Sequence, residues 1–243
     1  MPLLKLVKSK ADFAKKTEEY FNAIRTNIQF SGSNLKVIAV SSVQPGEGKS
    51  TTSVNLAISL AKVGFKTLLI DADTRNSVLS GTFKSSEPYS GLSNFLSDNA
   101  SLTEVICTTD IEGLYVIPSG PVPPNPTSLL QNSNFVNLLD TARSQFDYVI
   151  IDTPPVGLVI DAVIIAHYTD ASLLVTAAGR INRRFLAKSV EQLQQSGSQF
   201  LGVVLNRFDS TIDKYGSYGS YGNYGEYGKS LESSNKRAHR RKK

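Results

Sequence analysis

The stretch SSVQPGEGKSTT (41–52) gathers glycine, lysine and hydroxyls within a dozen residues. An apolar run precedes it and a helical pattern follows. That strand–loop–helix setting lets successive backbone N–H groups cradle phosphates. Gly46, Glu47, Gly48, Lys49, Ser50 and Thr51 are the candidate nucleotide-binding residues. A helix N-terminus favours an anion at that place. Lys49 would bridge the β- and γ-phosphates of ATP, and Ser50 would ligate Mg²⁺. The strict phosphate-loop spacing asks for glycine at position 43, where this chain has valine. Two further apolar runs end in carboxylates: TLLIDADTR (67–75) in Asp71 and Asp73, and YVIIDTPP (148–155) in Asp152. In an open α/β sheet, ligands bind beyond the carboxyl ends of the strands. Three aspartates should therefore converge on the γ-phosphate. Like charges repel there, and a divalent cation would relieve the repulsion. Ser50, Asp71 and Asp152 are the candidate metal ligands; Lys49, Asp71 and Asp73 are the candidate catalytic groups. For Asp73 a helix N-cap is the structural alternative.

The elements that must position these groups can be read from periodicity. LKVIAVSS (35–42), KTLLIDAD (66–73), GLYVIPSG (113–120), FDYVIIDTPP (146–155), DASLLVTAAG (170–179) and SQFLGVVLNRFD (198–209) read as strands. Helices are expected over 18–30, 49–64 and 184–195, with a further helix running through Arg143 after the proline-rich loop 118–126. Continuous apolar strands alternating with helices predict an α/β fold of the P-loop NTPase kind. Its sheet is mainly parallel with right-handed crossovers and flanking helices. Asn206 closes the last strand, either as an ordinary strand exit or with its amide facing an adenine edge. Arg180, Arg183 and Arg184 precede a helix, as a solvated face or as a docking surface for an acidic or phosphorylated partner.

The chain has 243 residues, 40% of them hydrophobic, which supports a sizeable core. No apolar run reaches the length of a membrane span, and the N-terminus lacks a secretory pattern. Cys107 is the only cysteine, which fits a reducing compartment, so a cytoplasmic protein is expected. The net charge is +5, but residues 209–243 hold eight Lys/Arg against four Asp/Glu and so carry +4 of it. The basic pI therefore reports a tail, not a nucleic-acid-binding domain.

That tail includes KYGSYGSYGNYGEYGKS, in which Tyr215, Tyr218, Tyr221, Tyr224 and Tyr227 recur every third residue, each followed by glycine. Glycine at this density disfavours helix and strand, so a flexible segment is expected over 210–243, after a domain at 35–209 and an N-terminal segment at 1–34. As flexible chain, 210–227 would span roughly 20–25 Å root-mean-square, enough to bring a hydroxyl to a site on the same or an adjacent molecule.

The motifs PGEGKST, LLIDADTR and VIIDTPP together with the tyrosine cluster resemble the bacterial tyrosine kinases of capsule and exopolysaccharide systems. The nearest branch is that in which kinase and membrane activator are separate chains. The resemblance spans about residues 18–228. It implies an autophosphorylating protein-tyrosine kinase that uses ATP and Mg²⁺, with the five tail tyrosines as phosphoacceptors. It implies that Lys49 and Ser50 serve phosphate and metal, that Asp71 orients or deprotonates the tyrosine, and that Asp73 and Asp152 complete the metal-site carboxylates. It also implies ring-forming homo-oligomers, octamers in the family, held by a helix with a Glu-x-x-Arg-x-x-Arg pattern. Glu19 and Arg25 fit that pattern and Asn22 departs from it. The cytoplasmic end of a membrane-bound polysaccharide co-polymerase would activate the kinase and recruit it to the inner face of the membrane. A cognate tyrosine phosphatase is a further implied partner, and no nucleic acid is expected.

Two rivals come from other classes. A P-loop ATPase of the partition or division-site type could carry a nucleic-acid or self-association tail. Those ATPases have a signature lysine where this chain has Gln44. A membrane-surface adaptor using the terminal basic run is the other.

Overall fold

A computed structural model describes residues 1–208 of the chain. The strands are β1 (Leu3–Leu6), β2 (Val37–Ser42), β3 (Thr67–Asp71), β4 (Phe83–Lys84), β5 (Cys107–Thr109), β6 (Leu114–Ile117), β7 (Tyr148–Asp152), β8 (Ala171–Ala177) and β9 (Gln199–Asn206). The helices are α1 (Lys8–Lys16), α2 (Glu18–Ser31), α3 (Lys49–Lys62), α4 (Leu92–Leu96), α5 (Leu102–Val105), α6 (Pro126–Leu130), α7 (Ser133–Gln145), α8 (Asp161–His167) and α9 (Arg183–Gln195). One sheet in the order β4-β1-β5-β6-β3-β7-β2-β8-β9 runs through the unit. Every neighbouring pair is parallel except β1/β4 and β5/β6. Residues 1–206 form one compact unit, and the tail with its five tyrosines lies outside the described residues.

The parallel strands are buried on both faces, which explains their unbroken apolar runs. Val37, Ala39, Leu68, Ile70, Val149 and Ile151 join one core cluster. The intervening Ile38, Val40, Leu69 and Ile150 join a second on the opposite face. Each fully buried side chain of this size stabilises by about 1.5–3 kcal/mol. The first face is covered by α4 to α9, with Phe135, Leu138, Ile165 and Leu193 contributing. The second is covered by α3, whose residues from Thr52 to Ala61 are all buried between the sheet and α2.

The strands and helices expected from the sequence are present with ends shifted by at most three residues. Three strands, β1, β4 and β5, and four helices, α1, α4, α5 and α8, were not expected. LLKL forms β1, a strand of the same sheet, so the N-terminal segment contributes more than a helix. β4 and β5 have two and three residues, too short to show a period. The single helix expected through Arg143 is two, because Asn132 turns out of helical geometry and its side chain accepts the N–H of Phe135, capping α7 anew.

Candidate functional site

The loop between β2 and α3 holds two glycines at positive φ, Gly46 at 77° and Gly48 at 101°. Only glycine tolerates these values cheaply. A Cβ on Gly48 would stand 2.0 Å from the Asn206 amide nitrogen, so the close approach also requires glycine. Val43 is buried and absent from the positive-φ residues, so the loop folds without a glycine there.

At the end of this loop Lys49 and Ser50 open α3. β3 and β7 lie side by side in register, with Asp71 opposite Asp152. The sheet therefore delivers two carboxylates to one spot, and the turn after β3 adds Asp73. Lys49 Nζ lies 2.9 Å from Asp73 Oδ2 and 3.7 Å from Asp152 Oδ2. All four side chains are buried. Burial alone pulls the Lys49 ammonium down. The aspartates, Asp152 foremost, more than offset it and hold the group above its ordinary value. One cation cannot neutralise three carboxylates. Asp71 is pushed up to about 7, first by burial and then by Asp152, against the hydroxyl of Ser77 that donates to it. Asp152 is raised mainly by burial, with Lys49 opposing.

Its Oδ1 accepts from Ser53 Oγ at 3.1 Å, whereas Oδ2 is buried without a hydrogen-bond partner. A buried carboxylate oxygen with no hydrogen-bond donor, only the Lys49 ammonium at 3.7 Å, beside a serine and more acidic groups than one lysine balances, fits a hydrated divalent cation. Among the described residues no three His, Cys, Asp or Glu side chains stand as a ready-made metal cage. That also suits Mg²⁺, which keeps waters and takes phosphate oxygens rather than an all-protein shell.

Of the residues expected from the sequence, Gly46, Glu47, Gly48, Lys49, Ser50, Thr51, Asp71, Asp73 and Asp152 come together here. Thr51 stands in the first turn of α3 and its carbonyl accepts from Asn55 Nδ2. Asn206 reaches the loop from β9, where its Nδ2 donates to the Glu47 carbonyl at 2.8 Å. Glu19 and Arg25 are not part of this site. Arg25 docks α2 on α3 by donating to Asn22 Oδ1, Ser59 O and Ser59 Oγ. Ser59 lies ten residues along α3 from Lys49, about 15 Å at helical rise.

Several side-chain roles in the site escape sequence reasoning. The Glu47 carboxylate is buried: Oε1 accepts from Thr176 Oγ1 at 2.8 Å and Ala177 N at 3.1 Å, and Oε2 from Gln44 N at 2.6 Å. It ties the loop to β8. Ser53 and Ser77 orient Asp152 and Asp71. Arg75 pairs with Asp161 at 2.6 Å and reaches Thr127 at 3.0 Å, pinning the turn after β3 to α8 and α6. Only the spacing of Ser53, four residues past Lys49 on the buried helix face, carried a signal.

The chain matches the AAA domain family over residues 35–196. It is 60% identical over 216 residues to the tyrosine-protein kinase CpsD of Streptococcus agalactiae serotype III (strain NEM316), covering 89% of this chain and 93% of that one. Among solved structures, the chimerical protein CapA2B2 is similar with a TM-score of 0.76 at 35% identity, covering 86% of this chain and 93% of that one. The kinase domain of Escherichia coli tyrosine kinase ETK follows with a TM-score of 0.72 at 31% identity, covering 79% and 77%. At this identity and coverage, the chain belongs to the bacterial tyrosine-protein kinase family.

Proposed function

We propose that this kinase uses ATP·Mg²⁺, that its acceptors are Tyr215, Tyr218, Tyr221, Tyr224 and Tyr227 of its own kind of chain, and that it regulates capsular or exopolysaccharide synthesis and export. The observation that carries this reading is the convergence of Asp71, Asp73 and Asp152 on Lys49 beside a glycine loop. Backbone N–H groups of 46–50 would hold the phosphates, and Lys49, released from Asp73, would meet the γ-phosphate. Asn206 would sit at the base side of the nucleotide. Ser50 and Asp152, with Asp71, would hold Mg²⁺, which when bound neutralises phosphate charge. The phenol oxygen bonds the γ-phosphorus, the bond from that phosphorus to the β,γ-bridging oxygen breaks, and ADP leaves. Asp71, the carboxylate nearest the acceptor, would orient the phenol and take its proton.

Glu19 and Arg25 would take part in a homo-oligomeric ring. The cytoplasmic end of a membrane co-polymerase would activate the kinase and bring it to the inner face of the membrane. Among the described residues no helix is long and apolar enough to cross a membrane. The test is phosphotyrosine formation from labelled ATP by the purified chain, with the activator's cytoplasmic segment present. Lys49→Ala should reduce it by at least about 100-fold. Full labelling of that variant would remove the assignment.

A further inference from the structure

A cavity of about 420 Å³ lies between the turn after β3 and the loop after β6. Clefts of about 300–1,000 Å³ are the usual size for small-molecule sites. β3 and β6 are neighbouring parallel strands, so the cavity sits beyond two carboxyl ends, where α/β sheets bind ligands. Ser77 forms part of its wall and donates to Asp71 Oδ2. The cavity is thus one side chain away from Asp71. The glycine loop follows β2, separated from β3 by β7, so Asp71 stands between the loop and the cavity. In-line phosphoryl transfer needs the acceptor on the far side of the reacting phosphorus from the leaving group.

We infer that this cavity is the acceptor site, taking the phenol ring of a tyrosine in an extended, glycine-flanked peptide. The inference rests on the kinase reading above and adds where the acceptor sits and what selects it. Tyr89 and Val122, 38% and 70% exposed, offer the ring an open apolar wall. Pro118 and Pro121 keep the opposing loop stiff. A residue without Cβ beside the tyrosine lets the peptide backbone approach such a wall. Among the described residues Arg75 is the one charged side chain lining the cavity, and Asp161, with Thr127, fixes its guanidinium and balances its charge, so the wall carries no net charge of its own.

The test uses the full chain with all five tail tyrosines replaced by phenylalanine and the peptide SYGSYG, which copies residues 217–222, with the activator's cytoplasmic segment present in every assay. Val122→Asp and Tyr89→Ala each alter an exposed side chain, so the fold persists. Each should raise the peptide KM about tenfold, the effect of losing one apolar contact. The affinity for a fluorescent ATP analogue and kcat at saturating peptide should stay within twofold. If the parent phosphorylates the peptide and neither variant moves its KM, the cavity is not the acceptor site while the kinase reading stands. If the parent modifies no peptide and the chain with its tail intact makes no phosphotyrosine, the kinase reading falls and the acceptor site with it.

Discussion

Asp71 shows how a residue is tuned by where the sheet puts it. Its strand neighbour in register is another aspartate, and like charges directly opposite destabilise a sheet. A carboxyl whose folded value is about 7, against 3.8 ordinarily, favours folding only while protonated. That stability is fully present below pH 3.8 and is lost as pH rises through about 7. The whole shift corresponds to about 4 kcal/mol at most. Asp71→Asn keeps an acceptor for Ser77 and removes the charge. In EDTA and without nucleotide, the variant should therefore be more stable than the parent at pH 8, with the advantage shrinking toward pH 5. Urea unfolding at the two pH values measures it. A gain independent of pH would mean that the carboxyl is not strained by its neighbours. The same substitution should strongly reduce phosphotyrosine formation, since the carboxylate it removes is the one proposed to take the proton.

Among the elements, the loop and the strands around it divide the work between legible and hidden residues. The carboxylates were legible because buried parallel strands write continuous apolar runs, and a charge ending such a run is conspicuous. The role of the Glu47 carboxylate was not, because its hydroxyl partner Thr176 is 129 residues away and no spacing connects them. β1 and β5 were missed for a related reason: segments of three or four residues carry no period, and only pairing in the sheet makes them strands. The Glu47 tether has a measurable consequence. Each hydrogen bond to a charged group contributes about 1.5–3 kcal/mol, and its loss would leave Thr176 and two backbone N–H groups without their partner. Glu47→Ala should cost about 2–3 kcal/mol in urea unfolding and weaken nucleotide binding about tenfold. Glu47→Gln, which can still accept from β8, should lie between. Unchanged nucleotide affinity in Glu47→Ala, measured with a fluorescent analogue, would show that the tether holds β8 and not the phosphate cradle.

At the scale of the molecule the question is which tyrosine reaches which site. The folded unit ends at Asn206, on the edge strand of the sheet, whereas Asp71 ends β3 four strand positions away, about 19 Å at ordinary strand spacing. Tyr215 is nine residues beyond Asn206 and Tyr227 is twenty-one. At no more than about 3.5 Å per residue these lengths can span at most about 32 Å and 74 Å, so neither falls short of that distance. Transfer within one chain would proceed at a rate independent of dilution. Transfer between chains would reach Tyr215 as readily as Tyr227 and slow on dilution. The assembly proposed above predicts the second. Mixing the Lys49→Ala chain, tail intact, with active chain whose five tail tyrosines are phenylalanine should label the inactive chain at proximal and distal tyrosines alike. Labelling should fall with dilution. Each phosphate adds about −1.5 to −2, so five add roughly −7 to −10. That change reverses a tail carrying +4, and the repulsion should loosen contacts between neighbours. Sedimentation of the mixture before and after labelling should show a smaller species once phosphate is on. An unlabelled inactive chain would place transfer within the chain and remove the reason for assembly to shrink.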